Sequence, residues 1–228
     1  VIADYGADTF RLYEMYMGPL EASKPWNPRD IAGCFRFVQR SWRVCVDERT
    51  GTLKAAPGDA GSEDPQLERL LHRTVAKVGG DIERLAFNTA IAALIEFVNA
   101  ATGAASSRDG AHSTAAVLTL GQIERFACML APFTPHVAEE LWKRVGEARG
   151  DAAARGFVVD ARWPTVDPAM LEDDTVEIPV QVLGKVRHKI TVSPKASAAE
   201  IEAAARADEK VRQLLADKPV KKVIIVPG

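Results

Sequence analysis

Cysteine is scarce in this 228-residue chain, and the three present (Cys34, Cys45 and Cys128) form no CxxC pair. Their odd number and wide spacing argue against a disulfide framework and against a zinc site, and fit a reducing compartment. No signal-peptide pattern and no uninterrupted apolar run near 18 residues stands out, so a soluble, cytoplasmic chain with no membrane partner is expected. The short motifs of phosphate, dinucleotide, zinc-protease and serine-hydrolase chemistry (GxxxxGK[ST], GxGxxG, HExxH, GxSxG) are all missing. The four histidines (His72, His112, His136 and His188) are isolated from one another in sequence. Glu139 and Glu140 are adjacent, so they point in different directions around a helix and do not form an acid/base pair. No catalytic residue and no metal ligand is expected.

What is present is a core and an uneven distribution of charge. Hydrophobic residues make up 47% of the chain, enough for one or two globular domains. The net charge is −2, but residues 176–228 hold ten Lys/Arg against six Asp/Glu, so that end carries about +4 and the remainder about −6. Apolar residues at three-to-four spacing mark a succession of helices. A short one lies between Asp8-Thr9 and Gly18-Pro19. It is crowded with Phe10, Leu12, Tyr13, Met15, Tyr16 and Met17, too apolar for a free surface helix. Its partners are expected upstream, outside this chain, which would leave Tyr13, Tyr16 and Met17 able to drive self-association. A second helix starts near Asp30 and carries Ile31, Phe35, Val38, Trp42 and Cys45 on one stripe.

Residues 50–63 read as a flexible connection. Asp64-Pro65 opens the next helix with an N-cap and a proline at the first helical position, and Gly79-Gly80 should kink or break it. Asp81 restarts the pattern as far as a loop at 103–112. A further helix runs from about Ser113 to Ala131, and Thr134 should cap the last helix of the bundle. Residues 149–175 read as a polar linker carrying a docking Trp163-Pro164. Beyond it the period changes to two: "VEIPVQVLGKVRHKITV" predicts two strands about Leu183-Gly184, Ser197 to Glu200 is a capping box, and "VKKVIIV" predicts a third strand. The fold class expected is mainly α: an antiparallel helical bundle followed by a small α+β domain of order β-β-α-α-β.

The basic residues carry the functional signal. Arg29, Arg36, Arg40 and Arg43 line one side of the second helix, either as a phosphate-contacting stripe or as an ordinary charged face. Lys185, Arg187 and Lys189 share one side of a strand by period two, with Val186, Ile190 and Val192 directed to a core. Three like charges on one sheet face repel one another unless an anion lies there. Lys221 and Lys222 add to the same end of the sequence. RNA backbone binding is the reading favoured for this second group, with edge protection by lysines as the alternative.

Taken in order, "YGADTFRLYEMYMGPLE", "RDIAGCFRFVQRSWRV", "DIERLAFNTAIAALIEFVNA", "LAPFTPHVAEELW" and "PVQVLGKVRHKITV" resemble class I aminoacyl-tRNA synthetases, the leucyl enzymes in particular. The resemblance covers nearly the whole chain, and the VQV-GK-R segment is what narrows it to the leucyl type. It implies a C-terminal piece following the KMSKS loop. Residues 1–20 would be the tail of the catalytic region, 21–148 the anticodon-stem-binding bundle, 149–175 a linker and 176–228 a tRNA-binding α+β domain. It also implies leucine-specific tRNA and the catalytic core of the same polypeptide as partners. No cofactor is implied in this piece, and ATP with Mg in the intact enzyme. Arg36, Arg40, Arg43, Lys185, Arg187, Lys189, Lys221 and Lys222 are the candidate tRNA contacts. Alternatives are a non-catalytic protein-interaction module, or the equivalent part of a valyl or isoleucyl enzyme. At the hairpin, Leu183 replaces the Asn common in the family, which predicts a type II turn with Gly184 at its third position. His188 is bulkier than the residue usual there.

Overall fold

The computed structural model describes all residues except 24, 28, 58–63, 110–114, 173–175, 183, 194–195, 216–222 and 226–228. It divides into two compact units, Val1–Leu171 and Glu172–Gly228. The helices of the first are α1 (Ile2–Tyr5), α2 (Ala7–Tyr16), α3 (Ile31–Cys45), α4 (Pro65–Glu83), α5 (Phe87–Asp109), α6 (Leu120–Leu130) and α7 (Pro135–Arg149). The second holds an antiparallel pair, β1 (Val176–Val182) and β2 (Lys185–Val192), followed by α8 (Ala198–Ala207) and α9 (Glu209–Leu215). A helical bundle and a small α+β unit are thus the observed architecture.

α2 answers the question its composition raises. It packs against α3, α5 and α7, and its Leu12 and Tyr13 are fully buried in the bundle core. The Tyr13 hydroxyl donates to the Asn27 carbonyl at 2.8 Å and accepts from the Asn27 amide at 3.1 Å, while Trp26 sets its ring edge-on to Tyr13 at 4.9 Å. Leu12 and Tyr13 therefore find core partners inside the chain. Of the three residues expected to drive self-association, only Tyr16 is largely exposed.

Asp8 does cap a helix, though not its own. Its carboxylate accepts from the backbone amides of His136 (3.2 Å) and Val137 (2.8 Å), and from the His136 ring Nδ1 at 2.8 Å. Those amides are the orphan donors at the start of α7, where a negative charge also meets the positive end of the helix dipole. Thr134, expected in that role, turns its hydroxyl back to the Leu130 carbonyl and makes no capping bond.

The glycine pair does not break α4, which runs unbroken through Gly79 and Gly80. A Cβ on Gly79 would stand 3.0 Å from Trp163 Nε1, so this glycine admits the indole and not a kink. The break falls at 84–86. Leu85 N donates to Ile82 O and Ala86 N to Asp81 O, a Schellman closure in which Leu85 takes the left-handed position (φ 57) that glycine usually fills. Asp81 sits inside this corner, its side chain 1% exposed, accepting from Lys77, Arg84 and Thr89 at 2.6 Å each. Burial would push its carboxyl up, but these donors outweigh burial and hold it below its usual value.

α5 runs to Asp109 where a loop was expected from Gly103, because Ala101 and Ala105 continue the buried stripe one turn further. Phe87–Ser107 is long and apolar enough on average to cross a membrane, although Asn88, Thr89, Glu96 and Asn99 interrupt its apolar residues. Here Ile91, Leu94, Phe97, Val98 and Ala101 face the bundle core, while the opposite face carries exposed residues such as Glu96 and Asn99. α6 begins at Leu120, not near Ser113, and is opened by a capping box of Thr119 and Gln122. The described part of 50–63 is tied down, with Lys54 N donating to Cys45 O and Ala56 N to Leu118 O.

Residues 150–171 form a strap across the bundle instead of a free linker. Arg155 stacks over Trp142 (4.4 Å) and bonds Glu124 and Asp151. Trp163 lies over Gly79, and Asp167 N donates to His72 Nδ1 at 3.1 Å. His72 Nε2 lies 3.2 Å from both Glu68 and Arg125, and the Glu68 carboxylate also accepts from Gln122 (2.6 Å) and Arg125 (2.7 Å). Burial opposes the Glu68 charge, yet those donors prevail and keep its carboxyl below the usual range. Cys34, Cys45 and Cys128 are free, and burial lifts their thiols to about 11, 12 and 11.

In the second unit, Ile190, Val192 and Val211 form the core with Ile178, Val180, Ile201 and Leu215 around them. The predicted capping box is formed: Ser197 Oγ accepts from Glu200 N, and the Glu200 carboxylate takes the Ser197 amide. Gly184 has φ 78, as its turn position requires; Leu183 lies outside the described residues. Of the predicted third strand, residues 223–225 are not strand and the others lie outside the described residues.

Candidate nucleic-acid interface

α3 forms because its apolar stripe, with Ile31, Cys34, Phe37, Val44 and Cys45 buried, turns the opposite side to solvent. Arg36, Arg40 and Arg43 fall on that side, but the structure gives them different partners. Arg43 Nε donates to both oxygens of Glu48 at 3.1 Å, an exposed ion pair that answers its charge. Arg40 is half-buried; its Nη1 donates to the Asn99 side-chain oxygen on α5 at 2.6 Å, and its Nε is enclosed without a partner. The Arg36 and Arg29 guanidiniums are exposed and make no ion pair among the described residues. The stripe is therefore one paired cation, one cation held by a neutral amide, and two open ones.

The strand group is rearranged by a bulge. Val180 pairs with His188 and Gln181 with Val186, so Arg187 is the extra residue and strict alternation stops there. Val186, expected in the core, is 57% exposed; His188 takes an inward place instead, with Nε2 3.3 Å from the Asp208 carboxylate. Lys185, Arg187 and Lys189 are all exposed. Lys189 Nζ donates to Glu177 on β1 at 2.8 Å, and the pair shifts both groups: hydrogen bond and charge hold the Glu177 carboxyl down and the Lys189 ammonium up. Glu177 is the anion that three neighbouring cations called for, although it reaches only one of them. Lys185 and Arg187 make no ion pair among the described residues. Lys221 and Lys222 lie outside the described residues. No cluster of three metal-ligating side chains occurs among the described residues.

Two outward basic groups on a helical bundle and a small α+β unit now meet the sequence relationships. Residues 64–203 match the family described as the anticodon-binding domain of tRNA ligase. The chain belongs to this family. Over 226 residues this chain is 48% identical to a leucine–tRNA ligase of Mycolicibacterium paratuberculosis, and over 225 residues it is 46% identical to one of Mycobacterium leprae. Those alignments cover 99% of this chain but only 22% and 21% of the relatives' length. Among solved structures, it is similar to the leucyl enzyme of Agrobacterium radiobacter K84 in a ternary complex with tRNA and LeuAMS. The TM-score is 0.69 at 25% identity, covering 99% of this chain and 28% of that one.

The anticodon-binding match begins at α4 and ends in α8, so α3, with its arginines, lies outside the matched span. What residue spacing missed was the set of acceptors: Asn99 is 59 residues from Arg40, and Glu177 is 12 from Lys189. The second could have been found, since a hairpin centred on Gly184 brings β1 and β2 side by side. The first could not.

Proposed function

We propose that this chain is the tRNA-binding C-terminal portion of a leucine–tRNA ligase, the enzyme that attaches leucine to its tRNA using ATP with Mg in the cytoplasm. The catalytic and editing sites belong to other parts of that polypeptide, and this portion positions the RNA. The observation that carries the reading is the pair of outward basic groups on a chain of the anticodon-binding family: Arg36, Arg40 and Arg43 on α3, and Lys185, Arg187 and Lys189 on β2. Lys221 and Lys222 are proposed to add to the second group. Exposed cations on rigid elements suit recognition of folded RNA by shape and phosphate contact. The relatives named above are leucine ligases, which favours that reading over a valyl or isoleucyl one.

The test is a salt titration of binding to a leucine tRNA transcript, beside an unrelated tRNA and a Lys185→Ala/Arg187→Ala/Lys189→Ala variant. Affinity should fall steeply with salt, by about 0.7–0.9 in the logarithmic slope per phosphate neutralised, and the variant should show a shallower slope. Absence of binding to either tRNA at low salt would remove the RNA reading. A protein-docking module would then be favoured by the exposed Phe157 and Val159 (65% and 80%) beside an apolar groove of about 470 Å³ that Pro132, Pro135 and Trp163 also line.

A further inference from the structure

We infer that Asn99 is a positioning residue for RNA binding, holding the Arg40 guanidinium in a fixed orientation without cancelling its charge. The inference rests on the tRNA-binding reading above and extends it to α5.

Arg40 and Arg43 stand one turn apart on the same side of α3, yet they are held in chemically opposite ways. Arg43 is met by a carboxylate, so bringing a phosphate to it means first displacing Glu48. Arg40 is met by a neutral amide oxygen at 2.6 Å. The hydrogen bond orients the planar group and leaves its full positive charge available. The guanidinium has little freedom to turn, because Nε is walled in by protein and has no acceptor there. With Nε enclosed and Nη1 taken by Asn99, Nη2 is the nitrogen that is neither enclosed nor bonded among the described residues.

Glu96 is exposed on α5, one turn before Asn99, and it forms no ion pair among the described residues. One turn further along α5, Gly103 is exposed and a Cβ there would meet nothing within 4 Å. No side chain projects from α5 one turn beyond Asn99, which leaves room there for a sugar–phosphate strand. Fixing a cationic fork before the anion arrives removes side-chain entropy that binding would otherwise have to overcome.

The experiment measures binding of a leucine tRNA transcript to the 228-residue chain over a salt series, for Arg36→Ala, Arg40→Ala, Asn99→Ala, Asn99→Asp and the Arg40→Ala/Asn99→Ala double variant. Thermal unfolding confirms that each variant is folded; Asn99 is exposed, and Asn99→Asp is isosteric. Asn99→Ala leaves the charge in place and frees the fork, so affinity should drop roughly three- to tenfold at unchanged salt slope. Asn99→Asp keeps the geometry and cancels the charge, so the slope should become shallower by about one, as for Arg40→Ala. In the double variant the loss from Asn99→Ala should vanish, which a role in stability alone would not produce. Wild-type affinity and slope in both Asn99 variants, while Arg40→Ala binds weakly, would overturn the inference and leave the RNA reading standing. Wild-type binding by both Arg36→Ala and Arg40→Ala would remove α3 from the RNA interface, and the inference with it.

Discussion

Two buried aspartates show how single side chains close this bundle. Asp8 (7% exposed) satisfies two backbone amides of a helix that begins 127 residues later, so its loss both uncaps α7 and unpins α2. Asp8→Ala should cost about 1–2 kcal/mol, read as a lowered urea midpoint at unchanged slope. Asp81 works through its charge. Its folded carboxyl is held below the unfolded value, so its stabilisation is complete above the ordinary carboxylate range and fades as pH falls through the lower, folded value. Asp81→Asn should therefore destabilise by roughly 2–3 kcal/mol at neutral pH. The gap in melting temperature to the wild type should narrow as the pH is taken below about 4. A gap independent of pH would mean that the aspartate acts through shape alone. Neither role is legible in the sequence. In the sequence Asp8 marks the start of its own helix and Asp81 the start of a new one, because local spacing cannot say which distant donors will converge.

Elements were legible wherever a long stripe repeated. α3, α4 and α7 start where Asp30, Asp64-Pro65 and Pro135 place them, and the Ser197–Glu200 box opens α8. The errors share one physical source: a local propensity overridden by packing. Gly79-Gly80 looked like a breaker, but Trp163 needs the space that a glycine leaves. Gly103 looked like a loop start, but buried Ala105 carries α5 onward. The 149–175 segment looked like a linker, but Arg155, Trp163 and Asp167 each find a partner on the bundle. α2 is the element whose environment composition misjudged most. Since Leu12 is fully buried among bundle residues, Leu12→Ala should cost about 2.5–5 kcal/mol in chemical unfolding of the chain. A change below 1 kcal/mol would mean that α2 does not dock there.

Across the molecule, a net charge of −2 hides the features that matter for an anionic partner: where the cations stand, and which of them are already paired. Glu177 holds Lys189 in the way that an incoming phosphate would. Glu177→Gln should therefore raise affinity for leucine tRNA at low salt and steepen the salt dependence, the opposite of the strand triple variant; a binding assay showing no change would place β1 outside the interface. Legible in the sequence alone were the class of fold, the order of its elements as far as α9 and the residue types available to meet RNA, because helical and strand periodicities and capping pairs act over a few neighbouring residues. Only the tertiary structure decided which cations are open. The paired arginine of α3 and the amide-held one differ in what stands opposite them, Glu48 or Asn99, and on β2 a bulge and Glu177 do the same sorting. The outcome of such pairings depends on which elements lie side by side, a distance that periodicity along one segment does not contain.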